Sequence, residues 1–120
     1  MTKVIAVDLD GTLSKTTQDG SIGQPIKAMV DRVNDWNDAG RTVVIFTARG
    51  QSEHPKIRTW LKQNSLPDFE VTNVKIPEFT EIYDNRAIRV EEDTGALCGK
   101  CASSVKNSSN HSALITRTDC

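Results

Sequence analysis

Two aspartates one residue apart, Asp8 and Asp10, stand where the apolar run Val4-Ile5-Ala6-Val7 gives out into Gly11-Thr12. Three further polar residues follow later apolar runs: Thr47 after Val43-Val44-Ile45-Phe46, Lys75 soon after Phe69, and Asp84 directly after Ile82-Tyr83. Carboxylates gathered in a small space need a hard cation, and an all-oxygen set suits Mg²⁺. A hydroxyl, a lysine and loop amides beside them match the three oxygens of a phosphoryl group. These residues are dispersed over 77 positions, so they act together only if the fold brings the strand ends to one edge.

The intervening pattern predicts such a fold. Four consecutive β-formers bounded by Gly read as a strand buried on both faces, as in a parallel sheet. Ending it in acid is costly unless the carboxylates meet a cation or solvent. Asp10 lies two positions past Asp8, at the period that returns a side chain to the same side. Residues 13–23 are rich in Thr, Ser, Gln, Asp and Gly and read as a loop or small hairpin beside the acids. Pro25 then opens a helix, with Ile26, Met29, Val30, Val33 and Trp36 as its apolar stripe and Gly40 as its close. A second strand covers 42–46, a second helix roughly 55–64 around Ile57, Trp60 and Leu61, a third strand 69–72, a fourth 81–83 and a fifth 87–90. Strands alternating with helices imply right-handed crossovers and a doubly wound α/β sheet, whose carboxyl edge is the place for ligands.

The chain has 120 residues with a formal net charge of −1, from 15 basic and 16 acidic side chains. One compact domain is expected, with no strong electrostatic pull toward nucleic acid or membrane. No apolar stretch has transmembrane length, and the N-terminus enters a strand instead of a signal peptide, so a cytoplasmic protein is expected. Residues 1–93 carry the periodic signal. Residues 94–120, rich in Gly, Ser, Asn and Lys, read as a flexible tail. That tail holds Cys98, Cys101, His111 and Cys120, either incidental thiols or four soft ligands for Zn²⁺.

The order Asp8-Leu9-Asp10-Gly11-Thr12, strand-end Thr47, Lys75 and strand-end Asp84 resembles the haloacid dehalogenase (HAD) superfamily of phosphohydrolases over roughly residues 3–93. The strings Ile45-Phe46-Thr47-Ala48-Arg49, Val71-Thr72-Asn73-Val74-Lys75 and Ile82-Tyr83-Asp84-Asn85-Arg86-Ala87 are similar to a small group of phage-type and bacterial members. The resemblance implies a Rossmannoid three-layer sandwich with a mainly parallel five-stranded sheet. It also implies a phosphatase in which Asp8 attacks phosphorus to form an aspartyl-phosphate. Asp10 would be acid for the leaving oxygen, then base for the hydrolytic water. Mg²⁺ would be held by Asp8, the Asp10 carbonyl and Asp84, with Asn85 in place of a second acid often seen there. Thr47 would hydrogen-bond the phosphoryl group and Lys75 would pair with it and with Asp8. Gly11, Thr12, Ala48 and Arg49 are the neighbouring candidates for substrate contact. For Arg49 and Arg86 the choice stays open between binding substrate anions and pairing with local acids.

In this superfamily a cap domain inserted after the first motif, or between the second and third, often selects substrate. Neither gap here has room for one. An open site fits a large substrate, a partner or second copy acting as lid, or low selectivity. Nucleotides, sugar phosphates, phosphoproteins and phosphorylated nucleic-acid ends all remain as substrates. Two alternatives stay beside the phosphatase: a phosphotransferase, and a non-catalytic phosphate-binding or interaction module on the same fold.

Overall fold

The computed structural model describes residues 3–103 and 116–117. It divides into two units, 1–85 and 86–120, each taken by itself. The first unit is α/β: β1 (Val4–Val7), α1 (Lys27–Asp38), β2 (Thr42–Phe46), α2 (His54–Gln63), β3 (Glu70–Thr72) and β4 (Phe79–Tyr83). The four strands form one parallel sheet in the order β3-β2-β1-β4, with β1 inside.

Strand alternation assigns the faces. Ile5 and Val7 of β1, Val43 and Ile45 of β2, and Val71 of β3 share one side. They form a single buried cluster with Val33 of α1 and with Ile57, Trp60 and Leu61 of α2. Both helices therefore cover the same face. Handedness accounts for this: β1 to β2 and β2 to β3 step in one direction, and right-handed crossovers put both helices on one side. The expected third layer is not formed by α1 and α2.

The helix ends follow local chemistry. Pro25 does not start α1; it pairs with Ser14 in an antiparallel bridge, and the helix begins two residues later. Gly40 closes α1 at φ +79°, with the Arg41 amide donating to the Trp36 carbonyl, the pattern of a left-handed helix end. Pro55 stands in the first turn of α2, where its missing N–H costs nothing.

The return from β3 to β4 steps the other way, across three strand spacings or about 14 Å. Residues 73–78 make it without a helix, and the handedness rule assigns this crossing to the other face. The six residues bend at 73, run extended over 74–76 as suits the position before Pro77, and enter β4 through a turn in which the Phe79 amide donates to the Ile76 carbonyl. A bulge at Thr80 shifts the β1–β4 register, so that Tyr83 stands opposite Val7 and Asp84 comes next to Asp8.

Residues 87–90 do not join the sheet as a fifth strand. They belong to the second unit, where Val90 bridges Leu97 antiparallel around a turn with Asp93 and Gly95 at positive φ. Only six residues separate Val90 from Leu97, so this local pairing closes a short loop at little entropic cost. The segment expected to be a flexible tail carries β5 (Leu97–Cys98), α3 (Gly99–Ser103) and β6 (Thr116–Arg117), with β5 and β6 parallel. No helix among the described residues is long and apolar enough to cross a membrane.

Between β1 and α1, residues 13–26 fold back as a flap. Lys15 N–H donates to Gln24 O at 2.8 Å, Ile26 N–H donates to Leu13 O at 2.8 Å, and Trp60 Nε1 of α2 donates to Gly23 O at 3.0 Å. A Cβ on Gly23 would lie 2.0 Å from the Lys15 carbonyl oxygen, whereas one on Gly20, at φ +82°, would meet nothing. Gly23→Ala should therefore destabilise by about 2 kcal/mol or more, against about 1 kcal/mol for Gly20→Ala from left-handed backbone strain alone. Urea unfolding of the two variants measures the difference.

Candidate functional site

Beyond β1 the chain curls at once. The Leu9 carbonyl accepts the amides of Thr12, Leu13 and Ser14 and, at 3.2 Å, the Ser14 hydroxyl. Gly11 takes φ +84°, a left-handed turn that favours glycine. Close approach requires it too: a Cβ there would lie 2.5 Å from the Asn85 amide. This turn aims the Asp10 carbonyl back toward Asp8, which is buried at 7 % exposure. Thr12, also buried, accepts the Asn85 backbone amide at 3.0 Å and so ties the acid loop to the end of β4.

One terminal atom of the Asn85 amide lies 3.1 Å from Asp8 Oδ2, 3.0 Å from the Asp10 carbonyl oxygen and 3.0 Å from Thr12 Oγ1. With Nδ2 at that point it donates to these oxygens. With Oδ1 there it accepts the Thr12 hydroxyl and faces the Asp8 and Asp10 oxygens. Oxygens held this close repel unless a cation lies between them. With Oδ1 inward the amide stands from each of the two oxygens at the ligand–ligand spacing of an octahedral Mg²⁺ site, an edge of about 3.0 Å; with Nδ2 inward the same spacing is that of ordinary hydrogen bonds. The donor set thus fits Mg²⁺ through one carboxylate, one carbonyl and one amide. Among the described residues no three His, Cys, Asp or Glu side chains gather at a common point.

Thr47 ends β2 and is 3 % exposed. Its hydroxyl oxygen accepts the Arg49 amide at 3.1 Å, and its own proton goes to no acceptor among the described residues. The Asp10 and Ala48 amides likewise donate to none of them. These groups are donors in waiting for an anion.

Arg49 is the most connected side chain of the site. Its Nε and Nη2 hold both Asp10 oxygens, each at 2.8 Å. Nη2 also donates to Ser21 O at 3.2 Å, and Nη1 donates to Gly20 O and to Glu53 Oε1, both at 2.9 Å. All five guanidinium N–H groups are used. Hydrogen bonding to Asp10, set against partial burial, pushes the guanidinium even further above its ordinary range. The choice left open in the sequence resolves here as an ion pair with local acids. Glu53 and the carbonyls of Gly20 and Ser21 were not foreseen. The spacing of Arg49 and Glu53, four residues apart, is the signal that could have found the first; backbone carbonyls leave none.

Lys75 is not brought to Asp8. It is exposed, and it makes no hydrogen bond or ion pair with the described residues. It is the third of the six residues that return from β3 to β4, so the chain has already left the carboxyl edge. Asp84 directly follows β4, beside Asp8 in register and half-buried. Ala48 is exposed in the turn after Thr47. In the second unit Cys98 takes part in a disulfide, so its sulfur is not a zinc thiolate, and Cys101, which is in no disulfide, donates its amide to Cys98 Sγ at 3.4 Å. His111 and Cys120 lie outside the described residues.

Because Asn85 brings no charge, Asn85→Asp should tighten Mg²⁺ binding on the order of tenfold, as a further carboxylate does in oxygen-ligand sites. Calorimetric titration of metal-stripped protein measures it. Gly11→Ala, which pushes residue 85 out of place, should abolish the gain in the double variant.

Comparison with known proteins finds no matching family model, no matching curated protein and no matching solved structure, so the functional argument rests on this geometry.

Proposed function

We propose that the chain is a Mg²⁺-dependent phosphomonoester hydrolase of the HAD type, acting through an aspartyl-phosphate at a site without a cap domain. The observation that carries this reading is the approach of the Asn85 amide to both Asp8 Oδ2 and the Asp10 carbonyl, at 3.1 and 3.0 Å, which brings the three groups to one point. Asp8, Asp10 and Asn85 would hold the ion, with Asp84 beside them. When bound, Mg²⁺ offsets phosphate charge so that an anionic nucleophile can approach.

The chain's own groups supply the remaining steps. An Asp8 carboxylate oxygen forms a bond to phosphorus as the ester P–O bond breaks, and protonated Asp10 gives its proton to the leaving oxygen. Asp10, now a carboxylate, takes a proton from water. That water attacks the phosphorus, breaks the Asp8 O–P bond and releases inorganic phosphate. The Thr47 hydroxyl and the Asp10 and Ala48 amides stabilise charge on the phosphoryl oxygens. Glycine at 11 and the Thr12–Asn85 bond act by position, holding the Asp10 carbonyl where it is.

Lys75 favours a second reading, a phosphate-binding module without turnover, since it makes no hydrogen bond or ion pair with Asp8. Hydrolysis of a generic aryl phosphate decides between them. Turnover should require Mg²⁺ and vanish in EDTA. It should fall by at least about 10³-fold in Asp8→Asn and by about 10²-fold in Thr47→Val. Phosphate binding with no Mg²⁺-dependent turnover selects the module, and undiminished turnover in Asp8→Asn removes the aspartyl-phosphate.

A further inference from the structure

Arg49 holds the one carboxylate that the proposed chemistry needs in protonated form. Both Asp10 oxygens accept from its fork at 2.8 Å, and its side chain is 13 % exposed. Arg49 and a leaving-group oxygen thus compete for the same carboxylate. A phosphoryl dianion entering beside the pair offers that fork an equivalent pair of acceptors, because guanidinium matches carboxylate and phosphate bidentately alike. Left where it is, Asp10 would also repel the incoming anion.

Resting on the phosphatase reading above, we infer that Arg49 passes its guanidinium from Asp10 to the phosphoryl group when substrate binds. Asp10 is thereby released from both of its Arg49 bonds. The same movement withdraws the N–H groups from the Gly20 and Ser21 carbonyls. Those two contacts are the hydrogen bonds that tie the flap tip to the rest of the unit among the described residues, beside the packing of Ile22 against the core; the remaining flap bonds are internal or lie at its base. Substrate binding and loosening of residues 19–22 are therefore coupled. Arg49 acts as a phosphoryl-binding residue when substrate is present and as a flap latch when it is absent.

Binding of inorganic phosphate tests this, by calorimetry and by amide hydrogen exchange across residues 19–22. Wild type, Asp10→Asn, Arg49→Gln and the double variant form a thermodynamic cycle, with Arg49→Lys keeping the charge but losing the fork. Thermal melts check that each variant is folded. Under the handover, Asp10→Asn tightens phosphate binding on the order of tenfold in the wild-type background, because no carboxylate competes for Arg49, and the gain disappears in the Arg49→Gln background. Phosphate also speeds exchange in the flap of the wild type, while Arg49→Gln is fast with or without it.

An equal gain in both backgrounds reports anion repulsion alone and overturns the handover, as does flap exchange that slows when phosphate binds. A wild type that hydrolyses aryl phosphate but gives an additive cycle loses the handover and keeps the proposed activity. A wild type that binds no phosphate and turns none over loses both.

Discussion

A carboxylate at the end of a strand buried on both faces has to be compensated, and the architecture of the sheet's carboxyl edge follows from how Asp8 is compensated. Burial removes the water that would otherwise solvate it, and an uncompensated charge there costs several kcal/mol. The chain answers with the Asn85 amide, which with Nδ2 inward donates to Asp8 Oδ2 and to the Asp10 carbonyl that the turn brings to the same point. Three otherwise ordinary features become necessities of that arrangement. Gly11 is required by its positive φ and by the proximity of Asn85. Thr12 is required because it fixes the Asn85 backbone. The bulge at Thr80 is required because it brings the end of β4 level with the end of β1.

The direction of the crossovers has an equally specific effect on the site. Two consecutive steps one way spend both helices on one face, and the chain then crosses the other face with a connection of six residues. A helix in that connection would begin near the carboxyl edge and hold a residue such as Lys75 there. An extended crossing cannot, because it leaves the edge at once. Ring contact between Phe46 and Phe79, with centroids 5.2 Å apart, gives that second face its own packing: the two side chains come from strands on either side of β1, whose Ala6 is too small to keep them apart. Lys75 and the single helical layer are thus two consequences of one topological choice.

What was legible in the sequence and what was not divide along the range of the interactions. β1, β2, both helices and the strand ends of Asp8, Thr47 and Asp84 were recoverable because each is declared by apolar period and a local stop. The fourth strand was placed but begun two residues late, since Phe79 and Thr80 include a bulge that breaks the period. The run at 87–90 has strand composition, yet composition cannot say which edge it will meet, and a turn five residues on captured it locally. Asn85 was suspected as a ligand from its place beside Asp84. Its approach to Gly11 is a contact between residues 74 apart, and nothing in the spacing announces it. Arg49 is the clearest case: its type and neighbourhood were visible, but whether a guanidinium at a crowded edge pairs with protein or with substrate depends on which anions reach it. Both Asp10 oxygens do.

The gaps that were too short for a cap also deserve a structural interpretation. Residues 13–26 form a flap whose base is secured by the Ser14–Pro25 bridge, the Lys15–Gln24 bond and the Trp60 indole. Its tip is shaped from within, where the Ser21 hydroxyl and amide hold the Asp19 carboxylate below its ordinary range and Thr17 donates to Ser21 O. The described bonds that carry the tip to the rest of the unit come from Arg49 alone. Segments with few outward bonds open at low free energy, so Arg49, together with the packing of Ile22 against the core, holds this flap down. Arg49 is also the cation nearest Asp10. A cap domain separates the tasks of covering a site and managing its charge; under the proposed function one guanidinium would take part in both, because the same fork that holds Asp10 also holds the Gly20 and Ser21 carbonyls.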